Sequence, residues 1–232
     1  MISVRSNPDL FFKYRTRRLT SQASKHRTNS LREVRLFSRI ELHNKEMAIE
    51  IEKKYRIDKK IIVELTAKLG EIGADFSYEV FEENYLHRGG LLDGRSATLR
   101  LRRTDFRTTL TYKEKIQNDS DFKQQIEFET DVSNVDATES IIEKLGYKLS
   151  VIYEKHRKAW KFHNVEVVLD ELPFGYYMEI EGEIVDIETV EKLLGADKFE
   201  LEPRGYPRLS AKYGKANADG ITESRFAKTT AA

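Results

Sequence analysis

From Ala48 onward the chain repeatedly alternates apolar and polar residues with the two-residue period of a strand whose faces meet different surroundings. The pattern predicts strands over Ala48–Arg56, Tyr78–His87, Ala97–Arg103, Thr108–Lys115, Gln124–Val132, Leu149–Phe162, Val165–Asp170 and Tyr176–Ile184. Helical spacing intervenes three times. Asp58 is an expected N-cap for a helix running to about Leu69, with Ile61, Ile62, Leu65 and Leu69 on one side and Gly70 and Gly73 at its end. Val135–Leu145 and Ile187–Leu194 read as helices, the latter capped by Asp186 and followed by Gly195. Gly89-Gly90 and Asp93-Gly94 mark a loop. Strands joined mostly by short turns predict an antiparallel barrel or sandwich.

The polar phase of these strands is charged, and mostly of one sign per strand. Glu50, Glu52 and Lys54 share a face opposite Ile49 and Ile51; Arg100 and Arg102 oppose Leu99 and Leu101; Lys113 and Lys115 oppose Leu110 and Tyr112. Glu127 and Glu129 oppose Ile126 and Phe128, Lys155 and Arg157 share a face, Asp170 opposes Val167 and Leu169, and Glu179 and Glu181 oppose Met178 and Ile180. Same-side neighbours on a strand lie ~7 Å apart, so two carboxylates placed there repel unless water, a lysine or a metal ion neutralises them. One such face is an ordinary solvated surface; the repetition points instead to a ligand that carries many negative charges together with metal cations.

Composition narrows the chemistry. The 232 residues fit one medium domain with tails, and 34% are charged against 39% hydrophobic. No cysteine is present, which excludes thiolate metal sites, cysteine nucleophiles and disulfides and fits a reducing compartment. No apolar run approaches the ~20 residues of a membrane-spanning helix, so a soluble, cytoplasmic protein without a membrane partner is expected. Residues 1–46 hold 11 Lys/Arg against 4 Asp/Glu, a net +7, while the remainder carries −6. That leader is expected to be disordered, an organellar address only if it is a genuine transit segment, and Met47 is a candidate true start. Residues 215–232 are expected as a disordered tail. Neither a G-x-x-x-x-G-K-[ST] phosphate loop nor an H-E-x-x-H zinc motif occurs, and His87, His156 and His163 are scattered singly.

Together, Glu50-x-Glu52-x-Lys54, Leu99-Arg100-Leu101-Arg102, Leu110-Thr111-Tyr112-Lys113, Glu127-x-Glu129, Lys155-x-Arg157, Val168-Leu169-Asp170 and Glu179-Ile180-Glu181 resemble the CYTH superfamily, the triphosphate tunnel metalloenzymes. The order and spacing match from about Ala48 to Tyr213, with Gln125 standing where many members place an arginine. The resemblance implies an α+β protein built on a closed antiparallel barrel of about eight strands, charged inside and covered by helices outside. It implies that Glu50, Glu52, Glu127, Glu129, Asp170, Glu179 and Glu181 position Mg²⁺ or Mn²⁺. It further implies that Lys54, Arg100, Arg102, Lys113, Lys115, Lys155 and Arg157 clamp phosphates, with Tyr85 beside the tunnel.

The expected activity is metal-dependent hydrolysis of a small-molecule triphosphate by activated water, with Glu50, Glu52 and Lys54 at the reacting end and a rate that rises toward alkaline pH. The substrate is inorganic tripolyphosphate, thiamine triphosphate or a nucleoside triphosphate. Nucleic acid is not an expected partner of the core. A class IV adenylate cyclase, whose ending resembles Glu202-Pro203-Arg204-Gly205-Tyr206, and a non-catalytic polyphosphate-binding module are the alternatives. Removing Arg100 or Arg157 is expected to leave stability equal or slightly raised, by relieving repulsion along the strand.

Overall fold

The computed structural model describes residues 49–227, so the leader and the candidate start at Met47 lie outside the described residues. The first half contains β1 (Ile49–Ile57), α1 (Lys59–Glu71), β2 (Asp75–Arg88), α2 (Gly90–Gly94), β3 (Ala97–Arg103), β4 (Thr108–Ile116) and β5 (Lys123–Asp131). There follow α3 (Val135–Lys144), β6 (Lys148–Phe162), β7 (Val165–Leu172), β8 (Gly175–Glu181) and α4 (Ile184–Leu194). The end of the chain adds β9 (Glu200–Leu201), α5 (Tyr206–Tyr213), β10 (Lys215–Ala216) and β11 (Thr222–Ser224).

The eight long strands pair in the order β6-β2-β3-β4-β5-β1-β8-β7, and β7 pairs back onto β6. Every pairing in this ring is antiparallel. The result is a closed barrel, in which the two-residue alternation separates an inner wall from an outer one. On the outside, Tyr55, Trp160, Val165, Val167, Leu169, Met178 and Ile180 pack beneath Leu65 and Leu69 of α1 and Ile187, Val190 and Leu194 of α4. Each fully buried apolar side chain there contributes about 1.5–3 kcal/mol. Asp58 caps α1 as its sequence predicts, its Oδ1 accepting from the Ile61 amide at 2.9 Å.

Three local expectations are corrected. The Gly89–Gly94 loop folds into the single turn of α2. Helix α4 begins at Ile184 with Glu183 at its N-cap, and Asp186 sits in its first turn, still near the positive end of the helix dipole. The tail expected from residue 215 is instead ordered through 227, with β11 pairing in parallel with Val151–Tyr153 of β6. There Arg225 donates to Glu83 at 3.0 Å and to Glu154 at 2.8 Å, polar contacts that apolar periodicity does not reveal.

Helix α5 turns inward. Its Tyr206 and Leu209 pack among Leu86, Val151, Tyr153, Leu172 and Tyr177, all on inner faces of their strands, and so fill part of the lumen with an apolar cluster. No helix among the described residues is long and apolar enough to cross a membrane.

Candidate active site in the barrel lumen

Strands with inner faces of like charge turn out to be neighbours. The consecutive strands β5, β1, β8 and β7 carry Glu127 and Glu129, Glu50 and Glu52, Glu179 and Glu181, and Asp170. The rest of the ring carries Lys113 and Lys115 on β4, Arg100 and Arg102 on β3, and Lys155 and Arg157 on β6, with Glu82 of β2 set between the last two strands. The lumen therefore has an acidic arc facing a basic arc. A cavity of about 650 Å³ lies between them, lined by Glu50, Glu52, Lys54, Arg100, Arg102, Lys113, Lys115, Glu127, Glu129, Lys155, Arg157, Glu179 and Glu181.

Two expected site residues do not line it. Asp170 is wholly buried behind Arg157: it accepts from Arg157 Nε at 2.8 Å and Nη2 at 2.6 Å, from the Tyr206 hydroxyl at 2.8 Å and from Lys155 Nζ at 3.4 Å. Its carboxylate thus anchors a basic residue and is not placed to hold a metal on the cavity wall. Tyr85 is on the outer face of β2, because Glu82 and Asn84 take the inner phase; its hydroxyl donates to Glu83 and its ring lies 4.6 Å from the Arg103 guanidinium carbon.

Ion pairs join the two arcs and also run within the acidic one, through Lys54 of β1. Lys113 Nζ lies 2.5 Å from Glu50 and 2.9 Å from Glu127; Lys54 Nζ lies 2.9 Å from Glu179 and 3.5 Å from Glu52. Arg157 bridges Asp170 and Glu179, each at 2.6 Å. Arg100 is held more loosely, 3.3 Å from the Thr111 hydroxyl and 3.8 Å from Glu129. Burial alone would lower the Lys54 ammonium pKa, but Glu179 and Glu52 outweigh it and hold the proton more firmly than in water. Lys155 goes the other way, pushed down by burial and by its neighbour Arg157.

Sequence reading missed three contributors. Glu82 is buried at 3.3 Å from Lys155 and 3.7 Å from Arg102; burial raises its pKa, but these cations win and the net shift is downward. Because Glu82, Glu83 and Asn84 are polar in both phases, alternation could not single Glu82 out. Lys123 pairs with Glu52 at 2.9 Å and was detectable, being in phase with Gln125, Glu127 and Glu129 just ahead of the predicted strand start. Tyr206 covers the cationic side, its ring centroid 4.1 Å from Lys54 Nζ and 5.2 Å from Lys155 Nζ.

The acidic arc fits a hard dication chemically. Glu181 faces Glu52 in register on the neighbouring strand and has no basic partner within ion-pair distance among the described residues. Burial, then the charge of Glu50, push its pKa up to about 8, the mark of carboxylates crowded without enough counter-charge. Gln125, opposite Glu50 in register, keeps its side-chain oxygen buried and unpartnered. Carboxylate and amide oxygens are what Mg²⁺ and Mn²⁺ prefer. Among the described residues no three carboxylate or imidazole groups converge as a ligand cluster, since Glu50 and Glu52 are turned toward lysines.

A closed antiparallel barrel with opposed charged arcs defines a tunnel protein whose interior suits a multiply charged anion accompanied by cations. The chain belongs to the CYTH domain family, which its residues 48–206 match. It is 31% identical over 150 residues, 63% of this chain and 83% of the relative, to a Methanocaldococcus jannaschii protein named as a candidate adenylate cyclase. Its fold is similar to that of the PH1012 protein of Pyrococcus horikoshii, with a TM-score of 0.60 and 24% identity over 69% of this chain and 98% of the other. It is also similar to HpAC1 of Hippeastrum, a candidate adenylyl cyclase described as having a dominant triphosphatase activity. That match has a TM-score of 0.52 and 18% identity and covers 67% of this chain and 91% of the other. The names of these similar proteins thus include adenylate cyclase and triphosphatase.

Proposed function

We propose that the chain is a divalent-metal-dependent triphosphatase. The observation that carries this reading is the pairing of an under-neutralised acidic arc, marked by Glu181 and the unpartnered Gln125 oxygen, with a basic arc across one cavity. Arg100, Arg102 and Lys113 are positioned to donate to phosphate oxygens, and a triphosphate entering between the arcs takes over Lys113 from Glu50 and Glu127. Arg157 and Lys155, tied back by Asp170 and Glu82, form a rigid cationic wall that needs little reorganisation. Lys54, whose proton is held firmly, acts as fixed positive charge and not as a proton donor.

Glu50, Glu52, Glu179 and Glu181 would hold Mg²⁺ or Mn²⁺, which when bound supplies positive charge against the terminal phosphate and acidifies the attacking water. Tyr206 and the apolar cluster around it exclude solvent from the Lys54 side.

The relative named as a candidate adenylate cyclase favours a second reading, cyclisation of ATP within the same lumen. One assay separates the readings: tripolyphosphate, thiamine triphosphate and ATP are each incubated with Mg²⁺ or Mn²⁺ and all products identified. Orthophosphate release, lost with excess EDTA and reduced at least about 100-fold in Glu52→Gln, is the expected result. Cyclic AMP with pyrophosphate from ATP establishes the cyclase, and tight binding without turnover establishes a binding module.

A further inference from the structure

A second, smaller cavity of about 240 Å³ flanks the tunnel and shares Arg102 and Tyr78 with it. Its other walls come from Glu79, Val80 and Glu82 on β2 and from the hairpin joining β3 to β4: Thr104, Phe106, Arg107 and Thr109. The hairpin tip is ordered by Thr104, whose hydroxyl donates to the Arg107 carbonyl at 3.0 Å and accepts from the amides of Phe106 and Arg107. Thr104 is therefore occupied. Thr109 is not: its side chain is 2% exposed and its hydroxyl has no partner, although it borders the cavity. A buried hydroxyl without a partner is destabilising, and a bound acceptor satisfies it. Phe106 is 85% exposed and leaves its ring free to stack on a group seated in the chamber.

The charges lining this chamber balance, Glu79 and Glu82 against Arg102 and Arg107. Arg102 faces Glu82 at 3.7 Å, Arg107 faces Asp131 at 3.5 Å, and Glu79 pairs with Lys158 at 3.3 Å. No net charge remains to attract a cationic or anionic group. The volume is below the ~300–1,000 Å³ of pockets for drug-sized ligands, which leaves room for a ring system but not for a whole nucleotide. Since Arg102 belongs to both cavities, a group seated here is joined naturally to phosphates in the tunnel.

Building on the tunnel reading, we propose that this chamber is a head-group subsite for an uncharged heteroaromatic ring carried on the triphosphate. The physiological substrate is then an organic triphosphate of the nucleoside kind and not inorganic tripolyphosphate. Phe106 and Tyr78 supply aromatic surface, and the Thr109 hydroxyl donates to a ring nitrogen or carbonyl.

Titration calorimetry with ATP, tripolyphosphate and thiamine triphosphate, in the presence of Mn²⁺, tests this on the full chain and on Phe106→Ala and Thr109→Val. The parent should bind ATP at least about tenfold tighter than tripolyphosphate. Phe106→Ala should remove most of that gain and Thr109→Val part of it, with tripolyphosphate affinity within about twofold of the parent in both. Phe106 is exposed enough that its loss does not threaten folding. Equal affinities for ATP and tripolyphosphate in the parent, or parallel losses for both ligands in the variants, overturn the subsite while leaving the tunnel reading intact. A larger gain for thiamine triphosphate, whose head is cationic, overturns the uncharged-ring assignment. Failure to bind any of the three overturns the tunnel reading and this proposal together.

Discussion

The two walls of the barrel are made by the same strands and obey different rules. On β8, Met178 and Ile180 point outward into a closed apolar layer, while Glu179 and Glu181 point inward to a lumen in which charges outnumber every other side-chain type that the cavity exposes. The outer wall gains from burial without directional demands. The inner wall gains only where each charge finds its partner, and a removed partner leaves a buried ion exposed to the full desolvation cost. Proximity along the chain therefore says little about how two substitutions compare; the face decides.

That contrast is broken most severely by Arg157→Ala. The structure reverses the expectation that its removal is harmless, because Arg157 is the main partner of the wholly buried Asp170 and also serves Glu179. A loss of about 3–5 kcal/mol in denaturant unfolding is expected, comparable to the worst outer-wall changes, together with impaired triphosphate binding. Next in size is Ile180→Ala, which opens a cavity in the outer layer and should cost about 2–5 kcal/mol, with unchanged turnover per folded molecule below the unfolding transition. Turnover lost in proportion to stability would show that the walls are not separable.

Arg100→Ala sharpens the comparison from the inside. Held by a 3.8 Å ion pair and a threonine contact, Arg100 should cost far less stability than Arg157 when removed, while triphosphate affinity falls about tenfold, or ~1.4 kcal/mol. The smallest effect at neutral pH is carried by protons. Glu82 has a native pKa below its unfolded value, so its contribution is present above the ordinary carboxylate pKa of ~4.3 and is lost as pH falls through the depressed native value. Unfolding free energy should therefore decline below about pH 4, and Glu82→Gln should decline less steeply over that window. A variant with the same acid profile as the parent would remove Glu82 from the network.

The outer wall was largely legible in the sequence because periodicity records where apolar side chains go: β3 spans Ala97–Arg103 as expected, and Asp58 caps its helix. The sign of charge on each inner face was legible as well. Which strands lie side by side was not, since Glu52 meets Glu181 and Lys123 through pairings that no local pattern encodes. The same limit hid the burial of Asp170 behind Arg157, and the place beside the tunnel that the resemblance implied for Tyr85 falls to Glu82 and Asn84, which take the inner phase of β2. The ordered end of the chain was illegible for another reason: Arg225 is held by carboxylates from β2 and β6, far away in sequence.

Closure of the ring also sets a timetable for synthesis. Strand β1 leaves the ribosome first, yet its partners β5 and β8 are translated later, with β8 supplying the longer stretch of pairing. Until then both of its edges are open to any neighbouring nascent chain, and contacts so distant in sequence form slowly. A wholly apolar strand in that position would invite aggregation. The alternating Glu50, Glu52 and Lys54 keep one side of the waiting strand charged and hydrated, which disfavours pairing with a like strand before the barrel shuts.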